Sequence, residues 1–118
     1  MREKMEIKTK ENIYIAKEAI EAKSSLQKMK GLMFSKGMDG FDAMLFKRCN
    51  SIHTFFMNYP LDILFINREM KIVKIIRNLK PWRMTRLYFS AYQALELKGG
   101  TLDERVQEGD VLEVICIN

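Results

Sequence analysis

From Asp42 onward the sequence is a succession of short apolar runs cut by turn signals: "DAMLFKR", "SIHTFFM", "LDILFIN", "KIVKIIRNL", "AYQALELK" and "VLEVICI". Each is strand-length and rich in β-branched or aromatic residues, and the spacers carry Gly, Pro, Asn or charge. A chain punctuated this way must bury its apolar side chains in a sheet. "LDILFIN" and "KIVKIIRNL" read as a hairpin through "REM", and "VLEVICI" as a final strand entered from a Gly109-Asp110 turn. "KPWRMTRLYFS" opens as a loop, because Pro81 restricts Lys80 and has no amide to donate.

The N-terminal third is less regular. "MEIKT" and "NIYIAKEAIEA", separated by "KEN", suggest a hairpin, but the Ala, Glu and Lys of the second segment equally favour helix. A helix is expected after Ala22: Ser24 and Gln27 form a capping box, Leu26, Met29, Leu32 and Met33 recur at helical spacing, and Gly31 ends it. Thr101 and Glu104 repeat the capping pattern in "GGTLDERVQEGD", a loop with one helical turn. These readings give a mainly β (α+β) single domain over 1–118, a small antiparallel β-sandwich or barrel with one or two short helices.

Composition narrows the setting. At 118 residues the chain can bury roughly two-thirds of its unfolded surface, so neither metal nor disulfide is needed for folding. One His and no Cys-x-x-Cys pair argue against zinc, and neither a metal nor a cofactor is expected. No run approaches a membrane span. The charged start "MREKMEIKTKEN" lacks the apolar core of a signal peptide, which places the protein in the cytoplasm. Cys49 and Cys116 are expected to be thiols.

The net charge is +5, unevenly spread. Met70 to Leu95 holds no acid but carries Lys71, Lys74, Arg77, Lys80, Arg83 and Arg86, one at every third position. The C-terminal part holds Glu96, Asp103, Glu104, Glu108, Asp110 and Glu113. A spacing of three throws strand side chains to alternate faces, so the ladder does not make one flat nucleic-acid surface. Solvated edge charge and internal charge matching are its plain readings. Anion or nucleic-acid binding through Lys71–Arg86, with Lys80, Arg83 and Arg86 as contacts and Trp82, Tyr88 and Tyr92 for stacking, is the functional one.

His53 and Asp62 are the other candidates. On a strand His53 shares a face with Phe55 and Met57, and Ile52, Thr54 and Phe56 share the opposite one. Asp62, inside "PLDILFI", would be costly to bury unpaired. It is expected to accept turn amides and fasten the Asn58-Tyr59-Pro60 corner. His53, Thr54, Asn58 and Asp62 together form a candidate cleft for an unidentified small molecule or protein partner. A hydrolase using His53 oriented by Asp62 is the enzymatic alternative. Cys49, four residues before His53, would lie roughly 13 Å away on one strand, too far for a thiol–imidazole pair. "KGGT" lacks the pattern of a phosphate loop. The balance leans away from an enzyme and toward a binding or accessory module, a monomer or weak dimer.

The ordered motifs "GLMFSKGM", "AMLF", "IHTFFM", "PLDILFI", "KIVKI", "ALELKGGT" and "GDVLEV" resemble the domain-of-unknown-function 192 family, also called uncharacterised protein family 127. The resemblance spans about Ala22 to Val114. It implies a small, mainly β single domain of bacteria and archaea, often exported, with no established activity. The family's hallmark positions correspond to Gly31, Leu32, Met33, Met44, Phe46, Met57, Pro60, Asp62, Phe65, Leu95, Glu96, Gly100, Gly109 and Asp110. Most are turn or core types, the profile of a fold signature. The sequence departs from the common pattern at Ala43, where Gly is usual, in a shorter Met57–Pro60 segment, and in having no signal sequence.

Overall fold

The computed structural model describes residues 3–22 and 40–117. Seven strands are present among the described residues: β1 (Lys4–Thr9), β2 (Tyr14–Glu21), β3 (Ala43–Lys47), β4 (Leu61–Ile66), β5 (Ile72–Leu79), β6 (Gln93–Lys98) and β7 (Leu112–Ile117). They form one sheet in the order β5-β4-β6-β3-β2-β1-β7. The sheet is mixed: β2 and β3 run parallel, which corrects the expectation of antiparallel pairing throughout. A parallel pair cannot be joined by a tight hairpin, and β2 and β3 are well separated in sequence. The expected helix from Ser24 to Gly31 lies outside the described residues. The helical turn expected after Gly100 is absent. There Asp62 and Lys98 engage the loop amides, which leaves turns rather than a helical ladder.

The two outer strands meet at one end. Lys71 bridges Val111, the Ile72 amide donates to the Asp110 carbonyl and the Leu112 amide to that of Met70. The sheet thus curls into a partly closed barrel. Inside the curl sit Ile7, Ala19, Leu45, Leu64, Ile66, Leu95, Leu97 and Leu112, roofed by Leu102 and Val106 of the β6–β7 loop. On the opposite face Met44, Phe46, Leu61, Ile63, Phe65 and Ala94 form a second core. Every residue of β4 is buried because it has a core on each face.

Irregularities in pairing explain the ambiguity of the N-terminal segment. Met5 pairs with Ala19 but Ile7 with Ala16, and Lys8 with Tyr14, so β2 carries two extra residues against β1. These bulges turn strict alternation into buried doublets, Ile15-Ala16 and Ala19-Ile20, which mimic helical spacing. Asp42 stabilises the distorted backbone by accepting the amides of Lys17 (2.8 Å) and Glu18 (2.9 Å).

The second core is covered by the long β3–β4 and β5–β6 connections, residues 48–60 and 80–92. Expected to hold a strand, "SIHTFFM" instead makes a single bridge, His53 to Met84. Alternation lasts through buried Ile52 and Thr54, then breaks where Phe56 turns to a positive φ of 65°. The two connections pair as an irregular antiparallel ribbon: Thr54 amide to Arg83 carbonyl, Thr85 amide to Ile52 carbonyl, Tyr88 amide to Asn50 carbonyl. Ile52, Met57 and Tyr59 point from it into the core.

Candidate functional site

Asp62 occupies the corner at the start of β4, 1% exposed. Leu61 pairs with Leu79 and Ile63 with Ile76, so β5 bulges by one residue opposite Asp62. Asn78, in the bulge with φ 53°, would leave its amide orphaned. Asp62 Oδ1 accepts that amide at 2.8 Å, and Oδ2 accepts those of Gly100 and Leu102, each at 3.0 Å. Three backbone donors thus fasten β4, β5 and the β6–β7 loop to one carboxylate. Gly99 makes the close approach possible: a Cβ there would meet Asn78 Oδ1 at 2.7 Å and Pro60 at 3.0 Å.

Thr54 fastens the ribbon in a similar way. It is fully buried, its Oγ1 donates to the Lys80 carbonyl at 2.6 Å, and it accepts the Arg83 amide at 2.9 Å. Its carbonyl accepts the Trp82 amide at 2.9 Å. Thr85 repeats the device, accepting the Ile52 amide and donating to the Arg86 carbonyl.

The four cleft candidates therefore divide. Thr54 and Asp62 face inward and are engaged by backbone groups, while Asn58 is exposed. His53, half-buried, stacks on Phe55 with ring centroids 5.0 Å apart, and its Nδ1 accepts the Phe55 amide at 3.4 Å. No hydrogen bond joins His53 to Asp62. Cys49 donates from Sγ to the Ser51 carbonyl, and burial, with a further push from Glu96, raises its pKa. A thiol held protonated is a poor nucleophile. Cys116 is exposed, and both thiols are free.

The basic ladder divides too. Arg77 donates to the carbonyls of Leu102, Asp103 and Val106, clamping the acidic β6–β7 loop onto β5. Lys74 lies 3.9 Å from Glu108, whose carboxylate also accepts the Ile75 amide. These cations are spent on internal matching. Lys80, Arg83 and Arg86 are exposed on the ribbon and pair with no carboxylate among the described residues.

The ribbon's outer surface gathers apolar side chains beside them. Phe56, Trp82, Met84, Leu87 and Phe89 are each more than half exposed. The Phe56 and Trp82 rings meet edge to face at 4.5 Å, and Phe55 lies 6.2 Å from Trp82. Neither ribbon segment contains an acidic residue. Beyond Phe89 a cleft of about 370 Å³ opens toward the β4–β5 turn, where Arg68 stacks over Tyr92 at 4.1 Å.

Sequence reasoning overlooked the chemistry of Glu96, noting it only as part of the acidic C-terminal region and as a family position. It sits mid-β6, 5% exposed, paired between Met44 and Ile63. On the face it shares with Ala94, the neighbours are the second core. Burial pushes its carboxyl up to about 8, so it is mostly neutral at pH 7. The signal was present: Glu at an inward position of an alternating strand.

No curated protein matches the sequence. Two solved structures share the fold. A protein of unknown function from Novosphingobium aromaticivorans DSM 12444 superposes with a TM-score of 0.74 at 22% identity, over 93% of this chain and 83% of that one. A protein from Sinorhizobium meliloti 1021, described as a "putative transcription regulator", gives 0.75 at 27% identity, over 97% and 94%. The model of the DUF192 family, described as "Uncharacterized ACR", matches residues 5–114, and the chain belongs to that family.

Proposed function

We propose that this protein is a non-enzymatic binding module that recognises an anionic partner through the outer surface of the ribbon. The observation that carries this reading is the coincidence of Lys80, Arg83 and Arg86, which pair with no carboxylate among the described residues, with exposed Phe56 and Trp82 on acid-free segments. Exposed apolar surface ringed by one sign of charge is characteristic of an interaction site. His53 stands at the inner margin of this surface through its bridge to Met84. The hydrolase alternative draws less support, because the oxygens of Asp62 and Nδ1 of His53 already have backbone partners. Two free thiols favour a reducing, cytoplasmic setting.

The test is titration with heparin as a soluble polyanion, followed by the fluorescence of Trp82, the chain's only tryptophan. Wild type is expected to bind with an affinity that falls as salt rises, and Lys80→Glu/Arg83→Glu/Arg86→Glu to lose it. Equal binding by the triple variant sinks the reading.

A further inference from the structure

We infer that the anionic partner is a lipid surface, and that the ribbon docks the domain peripherally onto an anionic bilayer. This rests on the anion-recognising reading of the ribbon and names its occupant. Of the eight large apolar side chains exposed among the described residues, five stand on the ribbon: Phe56, Trp82, Met84, Leu87 and Phe89. Phe89, at 83%, is the most exposed of them. Aromatic and aliphatic side chains that are costly to leave in water are accommodated at the boundary between headgroups and acyl chains. Cations beside them are attracted to anionic headgroups.

The charge distribution orients the molecule for this contact. The acidic β6–β7 loop roofs the interior core through Leu102 and Val106, whereas the ribbon covers the opposite face of the sheet. An anionic surface therefore attracts the ribbon face, whereas on the other face Lys74, Arg77 and Arg105 are engaged with the acidic loop and offer no comparable attraction. Single-stranded nucleic acid fits the same charge less well. Base stacking needs free ring faces, and the edge-to-face contact at 4.5 Å sets one ring of the Phe56–Trp82 pair against the face of the other. Met84 and Leu87 have no aromatic face to offer a base. A bilayer accepts apolar side chains in any orientation and demands no shape complementarity.

The experiment is co-sedimentation of the full chain with phosphatidylcholine vesicles, with and without a minority of phosphatidylglycerol. Trp82 emission is recorded in the same samples, and heparin and an oligo-dT strand serve as soluble anions. The expected result is binding to the phosphatidylglycerol vesicles alone, with a blue shift of Trp82. Arg83→Gln/Arg86→Gln should weaken it on the order of thirtyfold, counting roughly fivefold for each cation lost. Leu87→Ser/Phe89→Ser, at exposed positions that leave both cores intact, should weaken vesicle binding while heparin binding persists. Equal binding to neutral vesicles overturns the inference. So does binding of oligo-dT and heparin without vesicles, which leaves the anion-recognising reading standing. Failure to bind vesicles and heparin alike overturns both.

Discussion

A buried carboxyl that stays protonated makes folding stability depend on pH in a direction opposite to the usual acid denaturation. Glu96 titrates at about 8 in the folded chain, against 4.5 for the same group in water. Below about 4.5 both states hold the proton and its contribution is complete. Between the two values the unfolded chain has released the proton and the native chain has not. The native state then binds one proton more, and stability falls by about 1.4 kcal/mol per pH unit. Above 8 both states have released it and the loss is complete. From pH 5 to 7 Glu96 therefore removes roughly 3 kcal/mol, a large share of the ~5–15 kcal/mol of a typical domain. Asp103, held down to about 2 by its hydrogen bond from Arg105, is already ionised in that window. Glu96→Gln keeps the shape and abolishes the titration. Urea unfolding at pH 5, 6 and 7, followed by circular dichroism, should show the wild type losing roughly 3 kcal/mol more than the variant. The unsatisfied amide introduced by Gln shifts the variant's curve as a whole and leaves the slope comparison intact. Equal slopes in the two proteins would refute the reasoning.

Other substitutions probe the fastenings. Asp62→Ala orphans three backbone amides and should cost about 3–5 kcal/mol in a denaturant melt, since bonds to a charged acceptor are the strong kind; a loss near zero would mean water replaces the carboxylate. Thr54→Val removes only the hydroxyl and should cost about 1–3 kcal/mol, and hydrogen exchange should rise at the Arg83 amide, with β4 amides unchanged. Gly99→Ala places a methyl against Asn78 and Pro60 and should destabilise by about 1–3 kcal/mol. Arg77→Met should release the β6–β7 loop, seen as faster proteolysis between Leu102 and Val106, with no change in anion binding.

How much of this was legible depended on whether local pattern or long-range pairing decided the outcome. The runs at β3 to β7 emerged nearly where the apolar pattern put them, because alternation and turn chemistry act over a few residues. The burial of β4 on both faces agrees with the apolar run Ile63–Ile66 that follows Asp62. β2 was ambiguous for a specific reason: its bulges against β1 produce doublets at Ile15-Ala16 and Ala19-Ile20 that no single period describes. The ribbon could not be read, since neither half is a strand alone and Thr54 finds Arg83 across a separation of 29 residues. Asp62 was read correctly as an acceptor of amides, but its donors come from β5 and the β6–β7 loop rather than from the corner it was expected to close.

The cations show most clearly why spacing alone underdetermines function. Lys74, Arg77, Lys80, Arg83 and Arg86 are the same kind of residue at one interval, yet the chain uses them in two ways. The first two lie where β5 passes the acidic loop, so its carbonyls and Glu108 engage them. After Leu79 the chain leaves the sheet and crosses its other face, away from those acids. The same interval then delivers Lys80, Arg83 and Arg86 to a surface with no carboxylate in either segment. Thr54 holds that crossing in place through Lys80 and Arg83, while Asp62 ties β4, β5 and the β6–β7 loop together. The buried bonds of Thr54 stabilise the ribbon, and Lys80, Arg83 and Arg86 stand exposed on its outer surface.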